Sequence, residues 1–433
     1  MEYNELKNTS AIWIPEIPKH WDLIKVRHLF KESSIKGFPN EPLLVASQKH
    51  GVVNKDVYGQ RTMEATKDFH NLKLVEKGDF VISLRSFQGG IEYAHQRGII
   101  SPAYTILKEL KPINKRYFKH LFKSKPFISL MTLCVKGIRD GQNIDFPTFK
   151  GEFLPVPPIE EQEAIGAYLD KKTKKIKEFI KKKKRLIELL EEEKRGIVNI
   201  AISRGDNPNV KLIDTGIEWL GKVPSHWSVK KIKYITTLIA DGTHQTPVYT
   251  ENGYPFLRIT DINGDKINWD EVRYISEKEH KSLTKTRKGR KGDILLSKNG
   301  TIGKVIEVTW DEEFSFFVSL CLIRFKKSIL PKYFSYFFKS DIVFDQLNEG
   351  SKTTSVTNLH LEKIKELRIA YPEITEQEKI CKYLDIECGK VDVAISKAKL
   401  EIEKANEYQE SLITQVVTGQ LKVPTLKQEN VLS

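Results

Sequence analysis

The chain has 433 residues, 39 % hydrophobic and 30 % charged, a length that suffices for two or three domains with separate cores. Its net charge of +14, from 71 Lys and Arg against 57 Asp and Glu, favours a polyanionic partner. The composition excludes a disordered chain, and no apolar run approaches the roughly 20 residues that span a bilayer. MEYNELKNTS at the N-terminus lacks a signal-peptide pattern, so we expect a cytoplasmic prokaryotic protein with no membrane contact.

The cysteines predict neither a metal site nor a disulfide framework. They form no CxxC pair and have no histidine at ligand spacing. We expect no metal and expect all four to be buried as apolar side chains: Cys134, Cys321, Cys381 and Cys388.

Residues 1–158 are predicted to form a first α+β module. "DFVISLRS" (residues 79–86) and "GIISPAYTILK" (residues 98–108) are β-branched and aromatic runs bounded by turn residues, which indicates short strands. The segment from Asn114 to Leu133 shows the apolar periodicity of amphipathic helices. Its aromatic stripe is better explained as core than as a base-stacking surface.

A first long helix is predicted over residues 159–204, ending near Gly205. It begins after Pro157-Pro158 with "IEEQEAIGAYLD", whose acidic first turn suits the helix dipole. Heptad spacing predicts a coiled coil, in which polar Lys183 and Lys194 weaken a simple seam but can fix register or antiparallel pairing. The two columns are Leu169, Ile176, Lys183, Leu190 and Ile197, with Thr173, Ile180, Ile187, Lys194 and Ala201.

A lysine run, "KKTKKIKEFIKKKKR" at residues 171–185, lies inside this helix. It is consistent with a solvated helix face, with contacts to DNA phosphates, or with an acidic partner. The solvated face is the favoured interpretation because the second helix is not comparably basic.

The sequence then repeats itself. After a linker at residues 205–226, a second module is predicted at 227–373, a second long helix at 374–420 and a tail at 421–433. "ITEQEKICKYLD" at residues 374–385 matches residues 159–170 at eight of twelve positions, and "VPSHW" at residues 223–227 matches "IPKHW" at residues 17–21. The second helix shows its own heptad columns: Leu384, Val391, Ala398, Ala405 and Leu412, with Cys388, Ile395, Ile402, Gln409 and Val416.

Neither long helix can bury its stripe alone. The predicted fold is therefore two pseudo-symmetric α+β modules joined by two long antiparallel coiled-coil helices, each of about 65 Å at 1.5 Å per residue. The alternative is that each helix folds back on its own module as a hairpin. We expect the repeated Pro-x-His-Trp segments to attach the modules to the helices, with structural roles for Trp21 and Trp227.

Sequence-specific DNA reading needs polar side chains on exposed loops. Four loops qualify, and the Lys136 and Lys352 loops occupy equivalent places in the repeat. Arg85 and Arg258 beside strand-like runs could bind guanine, although an internal salt bridge explains them equally well. The predicted DNA-binding residues are Gln48, Lys49, His50, Arg85, Lys136, Arg139, Gln142, Asn143, Thr243, His244, Gln245, Arg258, Ser351, Lys352, Thr353, Thr354 and Thr357. A solvated loop is an equally good account of any one of them.

No catalytic motif is found. The chain has no GxxxxGK[ST] phosphate loop, no Asn-Pro-Pro-aromatic tetrapeptide and no HExxH. His244 beside Asp241 suggests a dyad, but no nucleophile accompanies it, and loop positioning is the better interpretation. We therefore expect no enzyme activity in this chain.

The chain combines the two Pro-x-His-Trp segments, the two Glu-Gln helices, "DGTHQTPVY" (residues 241–249) and "KGDILLSKNGTIGK" (residues 291–304). In this combination it resembles the specificity subunit of a type I restriction-modification enzyme. The resemblance covers essentially the whole chain. The first module departs from it, because it has no DGTH and carries "LVASQKHGVV" (residues 44–53) instead.

This resemblance implies a target recognition domain in each module and a coiled coil that spaces them. It implies double-stranded DNA, two methyltransferase subunits and restriction or translocase subunits as partners. It implies no cofactor here, with S-adenosylmethionine, ATP and magnesium used by the partner subunits. Alternatives are the specificity chain of a two-subunit enzyme that cuts on both sides of its site, a self-contained DNA-modifying enzyme, and a basic scaffold that binds DNA without preference.

Overall fold

The structure is a computed structural model. It divides into two compact units: unit 1 comprises residues 1–183 with 400–433, and unit 2 comprises residues 184–399. Each unit therefore contains one module and a part of each long helix. The structure describes residues 3, 5–58, 69–137, 143–264, 266–298, 303–348 and 359–424.

The first half of the chain alternates short strands with short helices and ends in a helix of 46 residues. In chain order its elements are β1 (Leu6–Asn8), β2 (Glu16–Pro18), β3 (Asp22–Lys25), α1 (Val26–Leu29), β4 (Phe30–Ser33), β5 (Leu44–Ser47), β6 (Gly51–Asn54), α2 (Lys55–Tyr58), β7 (Lys73–Val75), β8 (Phe80–Ile82), α3 (Ser86–Gly89), β9 (Glu92–Tyr93), β10 (Gly98–Ile100), β11 (Thr105–Glu109), α4 (Lys115–Leu121), α5 (Lys125–Leu133), β12 (Val135–Lys136), β13 (Asn143–Ile144), α6 (Phe146–Phe149), β14 (Phe153–Val156) and α7 (Ile159–Arg204).

The second half follows the same plan and ends in a helix of 44 residues. Its elements are β15 (Leu212–Asp214), β16 (Lys222–Pro224), β17 (Ser228–Lys231), α8 (Ile232–Ile235), β18 (Thr236–Asp241), β19 (Tyr249–Thr250), β20 (Tyr254–Leu257), β21 (Ile262–Asn263), β22 (Lys266–Ile267), β23 (Arg273–Ile275), α9 (Glu277–Thr284), β24 (Ile294–Ser297), β25 (Val305–Glu307), β26 (Ser315–Phe316), β27 (Leu320–Phe325), α10 (Pro331–Phe338), α11 (Asp341–Asn348), α12 (Leu361–Glu366), β28 (Arg368–Tyr371) and α13 (Ile374–Val417).

The two modules share an antiparallel four-stranded sheet. Its strand order is β4-β11-β8-β9 in unit 1 and β18-β27-β24-β25 in unit 2. The strand before each long helix also has an equivalent partner, since β14 pairs with β3 and β28 pairs with β17. The predicted internal repeat is therefore a repeat of structure.

Each amphipathic segment that follows these sheets is two helices rather than one. In unit 1 the break lies at Ser124, just before Pro126, whose ring disfavours helical continuation. In unit 2 the corresponding break separates α10 from α11 at Lys339 and Ser340. Their apolar faces are buried in the module cores, as predicted, with Phe118 and Phe334 fully inaccessible.

Both long helices contribute to both module cores. In unit 1 the core contains Ile165 and Leu169 from the start of α7 and Leu412 and Val416 from the end of α13. In unit 2 the equivalent core contains the start of α13 and the end of α7, with Ile380 and Ile202 among its members. The start of one helix thus lies beside the end of the other within each unit, as an antiparallel pair requires.

The polar positions of the seam hold cross-helix ion pairs. In unit 1 the ammonium of Lys183 lies 2.5 Å from the Glu401 carboxylate. In unit 2 Lys194 donates to both oxygens of Asp392 at 2.7 Å. The residue further along α7 thus pairs with the residue earlier on α13, which is the order that an antiparallel coiled coil requires. Both sets of heptad columns are sheltered from solvent, and the predicted fold class is confirmed.

Candidate nucleic-acid interface

The repeated peptide owes its Glu-Gln pair to the attachment of each module. Gln162 accepts a hydrogen bond from the backbone N–H of Asn114 at 2.9 Å and donates to the Pro157 carbonyl at 2.8 Å. Gln377 accepts from the backbone N–H of Leu330 and donates to the carbonyls of Ser328 and Pro372, all at 2.8–2.9 Å. A buried amide in the first turn of each long helix therefore fixes the module to it.

The acid that ends each repeated peptide holds the helix packed beside it. Asp170 of α7 receives His120 of α4 at 2.9 Å. Asp385 of α13 accepts hydrogen bonds from two residues of α10, the ammonium of Lys332 at 2.5 Å and the hydroxyl of Tyr336 at 2.7 Å. The aspartate at the equivalent position therefore joins the long helix to the short helix packed on it in both copies.

The Pro-x-His-Trp segments have the predicted structural role. His20 lies 2.8 Å from Glu161, and His226 lies 2.8 Å from Glu376, which also accepts from the indole of Trp227. Trp21 is fully buried in the unit 1 core. Each segment therefore binds the first turn of the long helix that begins in its own unit.

The candidates of unit 1 lie partly together. Gln48, in the exposed turn between β5 and β6, donates to the carbonyl of Arg85 at 3.3 Å. Lys123, just after α4, donates to the Gln48 carbonyl at 3.4 Å and to the Gly89 carbonyl at 2.7 Å. Arg85 is exposed, and within the described residues its guanidinium makes no ion pair. Lys49 and His50 extend the exposed turn, so these candidates form one polar surface.

Lys136 of β12 and Asn143 of β13, the two ends of the predicted Lys136 loop, lie opposite each other on paired antiparallel strands. Both side chains are exposed. Lys136 reaches back to Asp145 at 2.8 Å, and its hydrogen bond lowers the pKa of that carboxyl. Arg139 and Gln142 lie outside the described residues.

In unit 2 the DGTH segment is a rigid turn that displays two side chains. Thr243 donates its N–H to the Phe316 carbonyl at 3.0 Å, and its hydroxyl accepts from the N–H of Gln245 at 3.2 Å. His244 and Gln245 are exposed. A Cβ on Gly242 would lie 2.2 Å from the Phe316 carbonyl oxygen, so only glycine fits beside this strand.

Two cations that the sequence analysis did not single out hold this turn. Arg287 donates to the carbonyls of Asp241 and Gly242 at 2.7 and 3.1 Å. The buried Lys298 forms an ion pair with the Asp241 carboxylate. Asp241 is therefore occupied by a structural partner, which supports loop positioning over a catalytic dyad with His244.

Arg258 is bound internally. Its guanidinium contacts Asp261 through Nε at 3.1 Å and Nη2 at 2.5 Å, and it donates to the Glu271 carbonyl at 3.2 Å. The hydrogen bond to Asp261 raises the pKa of Arg258. The internal salt bridge, the expected alternative for Arg258, is therefore present, and a DNA contact by Arg258 stays a prediction.

The fourth predicted loop is not described, which leaves its residues as predictions: Ser351, Lys352, Thr353, Thr354 and Thr357. All four cysteines are buried, as predicted, and burial raises the pKa of each thiol. The described residues contain no group of three or more His, Cys, Asp or Glu side chains placed to hold a metal. Their helices include none that is both long and apolar enough to cross a bilayer.

Residues 224–404 match the family model of the type I restriction modification DNA specificity domain. The chain is also 22 % identical to the MjaVIII specificity subunit of a type I restriction enzyme from Methanocaldococcus jannaschii, over 98 % of this chain and 99 % of the relative. Both matches confirm the predicted resemblance of this chain to type I restriction-modification specificity subunits. The predicted non-catalytic specificity subunit agrees with these matches, because the relatives are named as specificity subunits.

The specificity fold extends over nearly all of the chain. A solved structure, described as the basis of complex assembly and conformational transition of the type I R-M system, aligns with a TM-score of 0.71. It is 14 % identical and covers 94 % of this chain and 99 % of its own. The HsdS subunit of Thermoanaerobacter tengcongensis aligns with a TM-score of 0.53 at 14 % identity, over 94 % and 98 % of the two chains. The match of residues 224–404 to a DNA specificity domain supports DNA recognition by this chain.

Proposed function

We propose that this specificity chain reads a two-part, asymmetric DNA sequence, one block with each module, and docks methyltransferase and restriction subunits that act on it. The observation that carries the proposal is the repeat itself. One scaffold, with the same sheet order and the same helix joints, occurs twice and carries unlike exposed loops. Two different surfaces on equivalent scaffolds suit two different sequence blocks, and continuous helices between them suit a fixed gap.

The recognition surfaces are the loops that display polar side chains. In unit 1 these are the Gln48 turn, Arg85 and the Lys136 loop. In unit 2 the backbone of the turn from Thr243 to Gln245 is held by hydrogen bonds, so binding DNA would need little further ordering of the backbone. Polar side chains on such loops supply the hydrogen bonds that distinguish base edges.

Docking of partner subunits is supported by apolar side chains that the helix pair leaves exposed. In unit 2 Ile386 and Val393 of α13 are 49 % and 70 % exposed, and they lie seven residues apart on one face. Leu189 and Ile200 of α7 are 46 % and 60 % exposed. Heptad-spaced apolar residues on an exposed face suit further helices from a partner.

The chemistry belongs to the partners in this proposal. S-adenosylmethionine, ATP and magnesium are used by the methyltransferase and restriction subunits, in the cytoplasm of a prokaryotic cell. A specificity chain for an enzyme that cuts on both sides of its site would have the same architecture and would differ in its partner's domains.

The test is selection from a randomised duplex pool by the chain co-expressed with the methyltransferase of its own system, followed by sequencing. We expect two short, different blocks at constant separation. Two matched variants assign the blocks. Replacing Lys136 and Arg139 with alanine should change only one block, and replacing His244 and Gln245 should change only the other. A pool that stays random for the unmodified complex would refute sequence reading and leave a basic scaffold.

A further inference from the structure

One face of α7 carries lysines that the fold does not require. The face begins at Asp170, where α4 packs on α7. Lys174, Lys177 and Lys181 lie four, seven and eleven residues after Asp170, which places them on the same side of the helix. We call these three residues the lysine face. All three are exposed, and within the described part of the chain none of them has an ion-pair partner.

The lysine face begins at a cluster of cations on α4. Lys119 and Arg116 lie 3.6 and 3.9 Å from Asp170, in addition to His120 at 2.9 Å. Burial raises the pKa of Asp170, but the hydrogen bond from His120 and the charges of the three neighbours outweigh it, so the pKa is lowered. This single carboxylate is shared by two cations, Arg116 and Lys119, and by the His120 ring, so positive charge remains on the α4 side of the joint.

The α4 cluster also leads to the candidate recognition surface of unit 1. Lys123 follows Arg116 and Lys119 at helical spacing, and its ammonium contacts the carbonyls of Gln48 and Gly89 and forms an ion pair with the buried Glu92 at 2.6 Å. Basic side chains therefore run from the Gln48 turn, along α4, to the lysine face. Because Glu92 neutralises Lys123, the unpaired positive charge of this line lies on α4 and on the lysine face.

The second copy shows that the scaffold forms without these charges. The positions equivalent to the lysine face, counted from Asp385, are Gly389, Asp392 and Ser396. They stand on α13, which has the same joint to its module. The joint and the coiled coil form there with Gly389, Ser396 and an Asp392 that pairs with Lys194 of the other helix, so the repeat does not require lysine at these positions.

We propose that the lysine face and the adjoining α4 cations bind the phosphate backbone of duplex DNA, beside the block that module 1 reads. This inference rests on the proposed function. In it, the lysine face contributes a part of the affinity for DNA that does not depend on the base sequence. Lysines are depleted in the cores of protein–protein interfaces, whereas phosphates accept them as point charges. The face spans about 10 Å of helix at 1.5 Å per residue, the length of roughly three phosphates on one strand.

The test compares two triple variants of the full chain in complex with its methyltransferase. Lys174→Gln, Lys177→Gln and Lys181→Gln remove the lysine face. Lys382→Gln, Lys397→Gln and Lys399→Gln on α13 form the control, which removes the same charge from exposed positions of the other helix. The measurement is the slope of log affinity against log salt concentration for a selected duplex.

We expect the slope to fall by about 2 to 3 in the lysine-face variant, at roughly 0.9 per lost phosphate contact, and by less than about 0.5 in the control. The selected sequence should be unchanged, and lysine-to-arginine replacements should keep the original slope. Equal slopes in both variants would overturn the inference. So would loss of the methyltransferase from the lysine-face variant with an unchanged slope, because the face would then bind an acidic protein.

The outcome is separable from that of the proposed function. A random pool with the unmodified complex refutes sequence reading whatever the slopes are. A defined two-block sequence with equal slopes in both variants refutes only the phosphate contact of the lysine face.

Discussion

Units 1 and 2 differ where the scaffold does not constrain them. The strand orders, the buried glutamines, the His-Glu contacts and the helix joints are the same in both. Between β4 and β8, the described part of unit 1 has the hairpin of β5 and β6, the short helix α2 and the strand β7. Between β18 and β24, unit 2 has the five strands β19 to β23 and the helix α9 in its described part. The predicted Gln48 and Thr243 loops lie in or at the edge of these divergent segments. The difference teaches that recognition can vary while every contact that positions a module is kept.

Substitution of the buried glutamines Gln162 and Gln377 should have the largest effect on the contacts that the two units share. Gln377→Ala would leave three backbone groups without a partner, and Gln162→Ala would leave two. Ser328 is exposed, so water can replace its bond. At roughly 1 to 3 kcal/mol for each of the other groups, we expect both unfolding free energies to fall by about 3 to 4 kcal/mol. Urea unfolding followed by circular dichroism measures both.

The neighbouring glutamates provide the control for this pair. Glu163→Ala and Glu378→Ala change exposed side chains in the same helix turns and should cost less than about 0.5 kcal/mol. A glutamine variant as stable as its control would show that the amides do not attach the modules.

Much of this scaffold was predictable from the sequence, and the reason lies in its periodicity. The repeated peptide and the heptad columns place the long helices because both patterns are local and occur twice. The contacts of Gln162 and Gln377 with the modules were not predictable, since those partners are backbone groups 47 to 49 residues away. The Lys298 and Arg287 contacts to Asp241 have no repeated counterpart to signal them, which is why both residues were missed.

The glycines after the long helices give the second prediction. Gly205 and Gly419 both have positive φ, 77° and 75°. A Cβ on Gly419 would lie 2.2 Å from Cδ of Pro18, whereas on Gly205 its nearest neighbour would be Trp227 at 3.4 Å. Gly205→Ala should therefore cost about 1 kcal/mol from backbone strain alone, and Gly419→Ala about 2 to 3 kcal/mol from strain and overpacking.

Thermal unfolding of the two single variants tests this difference. Equal losses would mean that the Pro-x-His-Trp segment of unit 1 yields easily at Pro18. The measurement therefore compares the rigidity of the two attachments with the same substitution on each side.

The seam ion pairs should give the smallest effect. The side chains of Lys183 and Glu401 are 25 % and 34 % exposed, whereas those of Lys194 and Asp392 are 35 % and 55 % exposed. Because solvent screens the more exposed pair, double-mutant cycles with alanine should give a coupling of about 1 kcal/mol in unit 1 and about 0.5 kcal/mol in unit 2. Both should shrink in high salt. Couplings near zero would assign the register to the apolar columns alone, whereas a larger coupling in unit 2 would show that the two-oxygen contact of Lys194 outweighs its exposure.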